Sequence, residues 1–278
     1  MAYKHFGRIG DVWKHLPLGE ILKIEKPRVY IETNSAYPQY NTIDDWRLDY
    51  GINWFLKNAG EMVNTEYFKI ESAAVKEAKY LGSPALAMRI LGKYCQEYHF
   101  FDIEYNALVE NNNFAERLSL NDKTIIHHTD SRTGLLEILP NLANNDFIHF
   151  DPYMLFDAND KGHCYTDLFV QSLEKDIKAL LWYGFGSSQE KEKINDWAKD
   201  IISLQGRDKI KLYEIEIVNF EKLPLILNPG VGGCGIIIAN LSPLSFDTIG
   251  NLYESVLKIY NEVEVIDGHR FKIKGIKI

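Results

Sequence analysis

Asn144–Asp157 reads NNDFIHFDPYMLFD, and the rest of the chain is organised around it. A polar turn (Asn144, Asn145, Asp146) leads into an apolar run, Phe147, Ile148 and Phe150, broken only by His149. A carboxylate and a proline then arrive together at Asp151-Pro152. A short apolar run bounded by turn signals predicts a buried strand, and this one ends on an acid. In open α/β sheets ligands sit outside the carboxyl ends of the strands, so chemistry is expected at this strand end. The same residues also describe an Asp-Pro turn closing any core strand, and the chain around them has to decide between the two.

Upstream, Arg28–Thr33 (RVYIET) is a short β-branched and aromatic strand, followed at once by a turn, NSAYPQY, built on Asn34, Ser35 and Pro38. His99–Glu104 (HFFDIE) and Thr124–His128 (TIIHH) are the next two strands. Downstream come Ala179–Tyr183 (ALLWY), Ile210–Phe220, which alternates apolar and polar residues, and Cys234–Leu241 after a Gly-rich loop, Gly230–Gly235. Helical spacing fills the gaps. One helix starts at about Asp11, its N-cap, and Pro27 stops it; others cover Asn106–Leu118, Ser131–Leu139, Leu168–Ile177 and Glu190–Leu204. Tyr80–Pro84 is a turn that opens another helix, with Ser83 as N-cap and Pro84 at the first helical position. Residues 44–79 are helical in two pieces broken at Gly60 and read as a helical insertion in one domain spanning 1–278. Strands alternating with helices predict an α/β, doubly wound, mostly parallel sheet. The last strand is expected to be antiparallel, because no helix of useful length separates it from its predecessor.

The 278 residues are 46% hydrophobic and 25% charged, an ordinary globular balance. A net charge of −8 argues against a protein that coats nucleic acid non-specifically, which needs clustered Lys and Arg. Residues 1–28 run against that trend, with six basic side chains to three acidic, and form the candidate basic face. No apolar run approaches the ~18 residues of a membrane span and the first residues lack a signal-peptide core, so a cytoplasmic protein is expected. Cys95, Cys164 and Cys234 are far apart and form no CxxC pair, which points to free thiols and to no zinc site.

Acids recur at the strand ends: Glu32, then Asp102 and Glu104, then Asp130, then Asp151. Such a series suits a ligand carrying a ribose, an adenine amine and a charged centre, lying along the switch point of the sheet. N-capping is the competing reading, and Asp130 before Ser131–Leu139 fits it well.

The order of short motifs resembles the bacterial RlmJ-type methyltransferases, which methylate an adenine exocyclic amine in large-subunit ribosomal RNA. The matching stretches are Tyr3-Lys4-His5 with Gly10–His15, IETNSAYPQY, Tyr80–Pro84, Asp102, Asp130-Ser131, Asp151-Pro152, Leu181–Tyr183 and Gly230–Asn240. The resemblance implies a Rossmann-like S-adenosylmethionine-dependent fold, S-adenosylmethionine as cofactor and no metal. It implies that His15, Asn34 and Ser83 line the cofactor pocket, that Asp102 binds the ribose (or Glu104, if the match slips by two), and that Asp130 with Ser131 holds the adenine. Tyr3, His5 and Lys14 would contact the substrate, RNA in preference to DNA, with 23S rRNA foremost. Asp151, Pro152 and Tyr153 would do the chemistry. An adenine amine is a poor nucleophile, because its lone pair is delocalised into the ring, so the enzyme must accept hydrogen bonds from its N–H groups. The Asp151 carboxylate and the Pro152 carbonyl would accept, while Tyr153 stacks on a flipped base.

Two stretches depart from the family pattern. Asp151-Pro152-Tyr153-Met154 stands where the family has Asp-Pro-Pro-Tyr, and the turn after the first strand carries no glycine. Two other functions therefore stay open: methyl transfer to a small molecule or protein side chain, and a degenerate methyltransferase fold serving as a binding module.

Overall fold

The computed structural model describes residues 6–43, 45, 48–218, 231–261 and 272–278. In chain order its strands are β1 (Val29–Glu32), β2 (Gln39–Asn41), β3 (Lys79–Leu81), β4 (Glu97–Asp102), β5 (Thr124–His128), β6 (Phe147–Phe150), β7 (Lys178–Phe185), β8 (Ile210–Ile217), β9 (Gly233–Ala239) and β10 (Ile273–Lys277). The α-helices are α1 (Ile9–Glu25), α2 (Ile52–Asn58), α3 (Glu66–Lys76), α4 (Ser83–Leu91), α5 (Tyr105–Arg117), α6 (Ser131–Ile138), α7 (Tyr165–Glu174), α8 (Ser188–Gln205) and α9 (Pro243–Asn261).

Eight strands form one sheet in the order β10-β8-β9-β7-β6-β1-β4-β5. Strands β5, β4, β1, β6 and β7 run parallel, and β9 enters antiparallel between β7 and β8. The fold is the Rossmann-like α/β one expected. Strand β1 is flanked by β4 on one side and β6 on the other, so the order reverses between β1 and β6. Their carboxyl ends, Glu32-Thr33 and Phe150-Asp151, therefore sit at the switch point.

Every residue of β1 and β6 is buried, as strands covered on both faces must be. Phe147, Ile148 and Phe150 are each fully buried, and each contributes roughly 1.5–3 kcal/mol from apolar surface removed from water. One core lies under α1, α3, α4, α5 and α9; the other lies under α6, α7 and α8. Helix α1 runs through the first core and buries 13 of its 17 residues, Lys14 and His15 included. That is why its sequence lacks a clean polar face. Ile52, Phe55 and Tyr67, from the segment read as a helical insertion, join the same core.

Several local expectations change. Arg8, not Asp11, occupies the N-cap of α1, and Asp11 lies in its first turn. Gly82, not Ser83, is the N-cap of α4; Ser83 is its first residue. Tyr80 and Leu81 belong to β3, which pairs with β2 to make a small antiparallel ribbon. The chain beyond Leu241 adds α9 and β10, and β10 extends the sheet antiparallel to β8. The antiparallel last strand of the sequence reading, β9, is thus inside the sheet and not at its edge.

Candidate active site

Asp151 follows β6 directly, and its backbone N–H donates to Thr33 Oγ1 at 3.2 Å, which ties the ends of β6 and β1 together. Lys14 Nζ donates to Asp151 Oδ2 at 2.8 Å and lies 3.3 Å from Asp11 Oδ1, with the Trp182 ring centroid 5.2 Å away. Asp151 Oδ1 accepts no hydrogen bond among the described residues. Burial alone would lower the pKa of Lys14, but Asp151 and Asp11 outweigh it and hold the ammonium firmly charged. For Asp11 burial dominates and raises its carboxyl above the usual range, although Lys14 pulls it back.

Beneath this cluster lies a buried polar network that explains the one break in the apolar run of β6. His149 pairs with Glu32 across the β1–β6 register, its Nδ1 3.2 Å from Glu32 Oε1, with both side chains fully buried. Tyr30 donates to Glu32 Oε2 at 2.8 Å, and Ser83 Oγ donates to Oε1. Glu32 is therefore a satisfied buried carboxylate that fastens the start of α4 to the end of β1. His15 is 3% exposed; its Nδ1 meets the Tyr80 hydroxyl at 2.8 Å and its Nε2 has no partner among the described residues. Burial, then Lys14, hold its pKa well below 6.5, so the ring is neutral.

The turn without glycine closes by other means. Ala36 takes the left-handed conformation, at φ +50°, that a glycine would hold more easily. Its N–H donates to Asp102 Oδ2 at 2.8 Å, and its carbonyl accepts from Asn111 Nδ2 at 2.8 Å. The close approach is supplied from the facing loop, where Gly82 N–H donates to the Pro38 carbonyl at 3.0 Å. A Cβ on Gly82 would lie 2.3 Å from the Tyr37 carbonyl oxygen.

These elements enclose a cavity of about 350 Å³ at the switch point. Of the site residues expected from sequence, His15, Lys14, Asn34, Ser83, Asp102, Asp130, Ser131, Asp151, Pro152 and Tyr153 all line it. Glu104 does not: it stands at the N-cap of α5, where its backbone N–H donates to Asp102 Oδ1 at 2.8 Å. Tyr3 and His5 lie outside the described residues. Asp130 caps α6, as the competing reading had it, accepting from Arg132 N–H at 2.8 Å and pairing with the Arg132 guanidinium. The hydrogen bond from Arg132 is the largest influence holding its carboxyl below the usual range. Ser131 Oγ meets the Tyr165 hydroxyl at 2.8 Å. Sequence reasoning missed Asp11, whose i, i+3 spacing from Lys14 was the available signal. It also missed Phe6 and Tyr40, which join Tyr37 in an aromatic wall of the cavity and stack on each other at 4.5 Å.

A second cavity of about 360 Å³ runs between the loop after β6 and α8, and shares Tyr153 and Trp182 with the first. Tyr153 is 93% exposed at the boundary between them. Among the described residues no group of three His, Cys, Asp or Glu could hold a metal ion, and no helix is long and apolar enough to cross a membrane.

No family model matches the chain, and no curated protein does. Among solved structures, a Legionella pneumophila protein, LPL1258, of the family DUF519 is 22% identical over 99% of this chain and 98% of its own, with a TM-score of 0.74. The two share a fold. A putative rRNA-methylase from Clostridium thermocellum is 11% identical over 86% of this chain and 99% of its own, at a TM-score of 0.43. An O-methyltransferase from Bacillus cereus, solved with SAH, is 12% identical over 82% and 80%, at 0.42. Likeness at those two scores says nothing about substrate or chemistry.

Proposed function

We propose that the chain is an S-adenosylmethionine-dependent methyltransferase acting on the exocyclic amine of an adenine in RNA, with 23S rRNA as the foremost substrate. The observation that carries this reading is Asp151 at the switch point, lining the cavity with one carboxylate oxygen engaged by Lys14 and the other accepting no hydrogen bond among the described residues. The RNA acceptor rests on the order of motifs shared with the RlmJ-type enzymes.

The residues present suit the cofactor. The cavity volume falls in the range of small-molecule sites, and the buried, unpartnered His15 Nε2 is a polar atom in need of a ligand. His15, Asn34, Ser83, Asp102, Asp130 and Ser131 would hold it. Bound there, S-adenosylmethionine supplies an electrophilic methyl group, whose transfer to nitrogen breaks the S–C bond, leaves the electron pair on sulfur and releases one proton from the amine. Asp151 Oδ1 and the Pro152 carbonyl accept the amine N–H groups and draw the nitrogen lone pair out of conjugation. Exposed Tyr153 stacks on the base as it arrives through the second cavity. Lys14 and the tie to Thr33 hold Asp151 in one orientation, so positioning is built in before substrate binds.

Isothermal titration is expected to show micromolar binding of S-adenosylmethionine to the purified protein. Mass spectrometry of nucleosides from cells with and without the gene is expected to show a methylated adenosine that disappears with it. At saturating cofactor, Asp151→Ala should lose about 10²–10³-fold in kcat, the scale of one lost transition-state hydrogen-bond partner. No cofactor binding at high concentration would sink the proposal. A methylated product that is not a nucleoside would move the acceptor to a small molecule or protein.

A further inference from the structure

Asp11 has no role in the transfer as described, yet its carboxylate lines the same cavity as Asp151. Lys14 is shared between the two acids, 2.8 Å from Asp151 and 3.3 Å from Asp11. The side chains of Lys14, Asp11 and Asp151 are only 10%, 18% and 15% exposed, so water screens them far less than it would a surface pair. One ammonium between two carboxylates leaves the ionised cluster with a charge of −1. Without Asp11, Lys14 and Asp151 would form a neutral pair, and Asp151 would be a weaker acceptor.

We propose that Asp11 is a positioning residue: by taking a share of the Lys14 ammonium it keeps Asp151 from being neutralised, and it gives the reaction centre a net negative charge. This inference rests on the proposed methyl transfer. Two consequences follow from the charge. Asp151 Oδ1 remains a strong acceptor for an amine N–H, and the cavity favours a sulfonium cation over the uncharged thioether left after transfer. Three residues before Lys14 on a rigid, buried helix, Asp11 is held in register to do this. Its position in the first turn of α1 also suits the helix dipole, but a purely structural role of that kind would alter the affinity for charged and uncharged ligands alike.

The test is titration calorimetry of the full-length protein with S-adenosylmethionine and, separately, S-adenosylhomocysteine. Asp11→Asn preserves shape and removes the charge; Asp11→Glu keeps the charge. The preference for the sulfonium ligand should fall about tenfold in Asp11→Asn, the scale of one charge acting across a partly screened site. It should remain close to wild type in Asp11→Glu. An unchanged ratio in Asp11→Asn, or equal weakening of both ligands, would overturn the role given to Asp11. A wild-type protein that binds neither ligand would overturn the proposed function itself, an outcome visible before any variant is made.

Discussion

Lys14 is the residue on which the chemistry of the site turns, because it compensates two carboxylates at once. Removing one partner from a buried ionic group leaves the remainder unpaired, which costs more than the intact group contributes. Lys14→Met is therefore expected to lose about 2–4 kcal/mol of stability, read from urea unfolding, because Asp11 and Asp151 then face each other without a counter-ion. Replacing Asp11 as well, in Lys14→Met/Asp11→Asn, should recover part of that loss, since one of the opposed charges is gone. Additive losses in the double variant would mean that the three side chains do not act as a unit. The three occupy positions 11, 14 and 151, and the sequence brings the first two together only through helical spacing. Read singly, Asp11 looks like a helix cap and Lys14 like a solvated surface residue; only the buried path of α1 makes them parts of a site.

At the level of elements, the two loops after β1 and before α4 close on each other through backbone contacts. Gly82→Ala would push a methyl group against the Tyr37 carbonyl and is expected to cost roughly 1–3 kcal/mol, the range for overpacking, together with weaker ligand binding. Ala36→Gly relieves a left-handed alanine and is expected to be neutral or to stabilise by up to about 1 kcal/mol. Thermal unfolding of the two variants checks both signs, and a stabilised Gly82→Ala would contradict the close approach. This pairing also shows where sequence reading reaches its limit. Strands β1, β4, β5 and β6 were legible because each is a short apolar or β-branched run with an acid at or just beyond its end, whereas their order in the sheet and the place of the switch point came with the structure. The β2–β3 ribbon was not, because three-residue strands built from QYN and KYL carry no period and form only by pairing across some forty residues. Helix α9 was a different case: Phe246, Ile249, Tyr253, Val256 and Tyr260 keep helical spacing in plain view, and the signal was there to be used. For the site, the acids at the strand ends were legible by position. The second task of Asp130 as a helix cap, and the handing of the glycine role from residues 34–39 to Gly82, depended on contacts between distant segments.

Across the whole molecule, the half of the sheet carrying β4 and β5 meets the half carrying β6 and β7 at β1, and the cavity lies over that junction. Its outer strand is held partly by imidazoles. His127 on β5 stacks on Phe101 of β4 at 4.1 Å, and its Nε2 lies 2.9 Å from His99 Nδ1. Burial, and then His99, push the pKa of His127 down to about 4. In the unfolded chain the same ring takes up a proton near 6.5. Between those values the unfolded state binds more protons than the folded one, so the contribution of His127 is fully present above pH 6.5 and is lost as pH falls toward 4. Other buried groups change stability with the opposite sign as pH falls, among them Glu71, whose carboxyl burial holds well above its usual value. A single stability curve mixes these effects, whereas the difference between wild type and His127→Gln isolates one ring. Urea unfolding of both proteins at pH 7.5, 6 and 5 should show wild type ahead by the widest margin at pH 7.5, with the gap narrowing steadily toward pH 5. A gap independent of pH would mean that His127 holds β5 by packing alone.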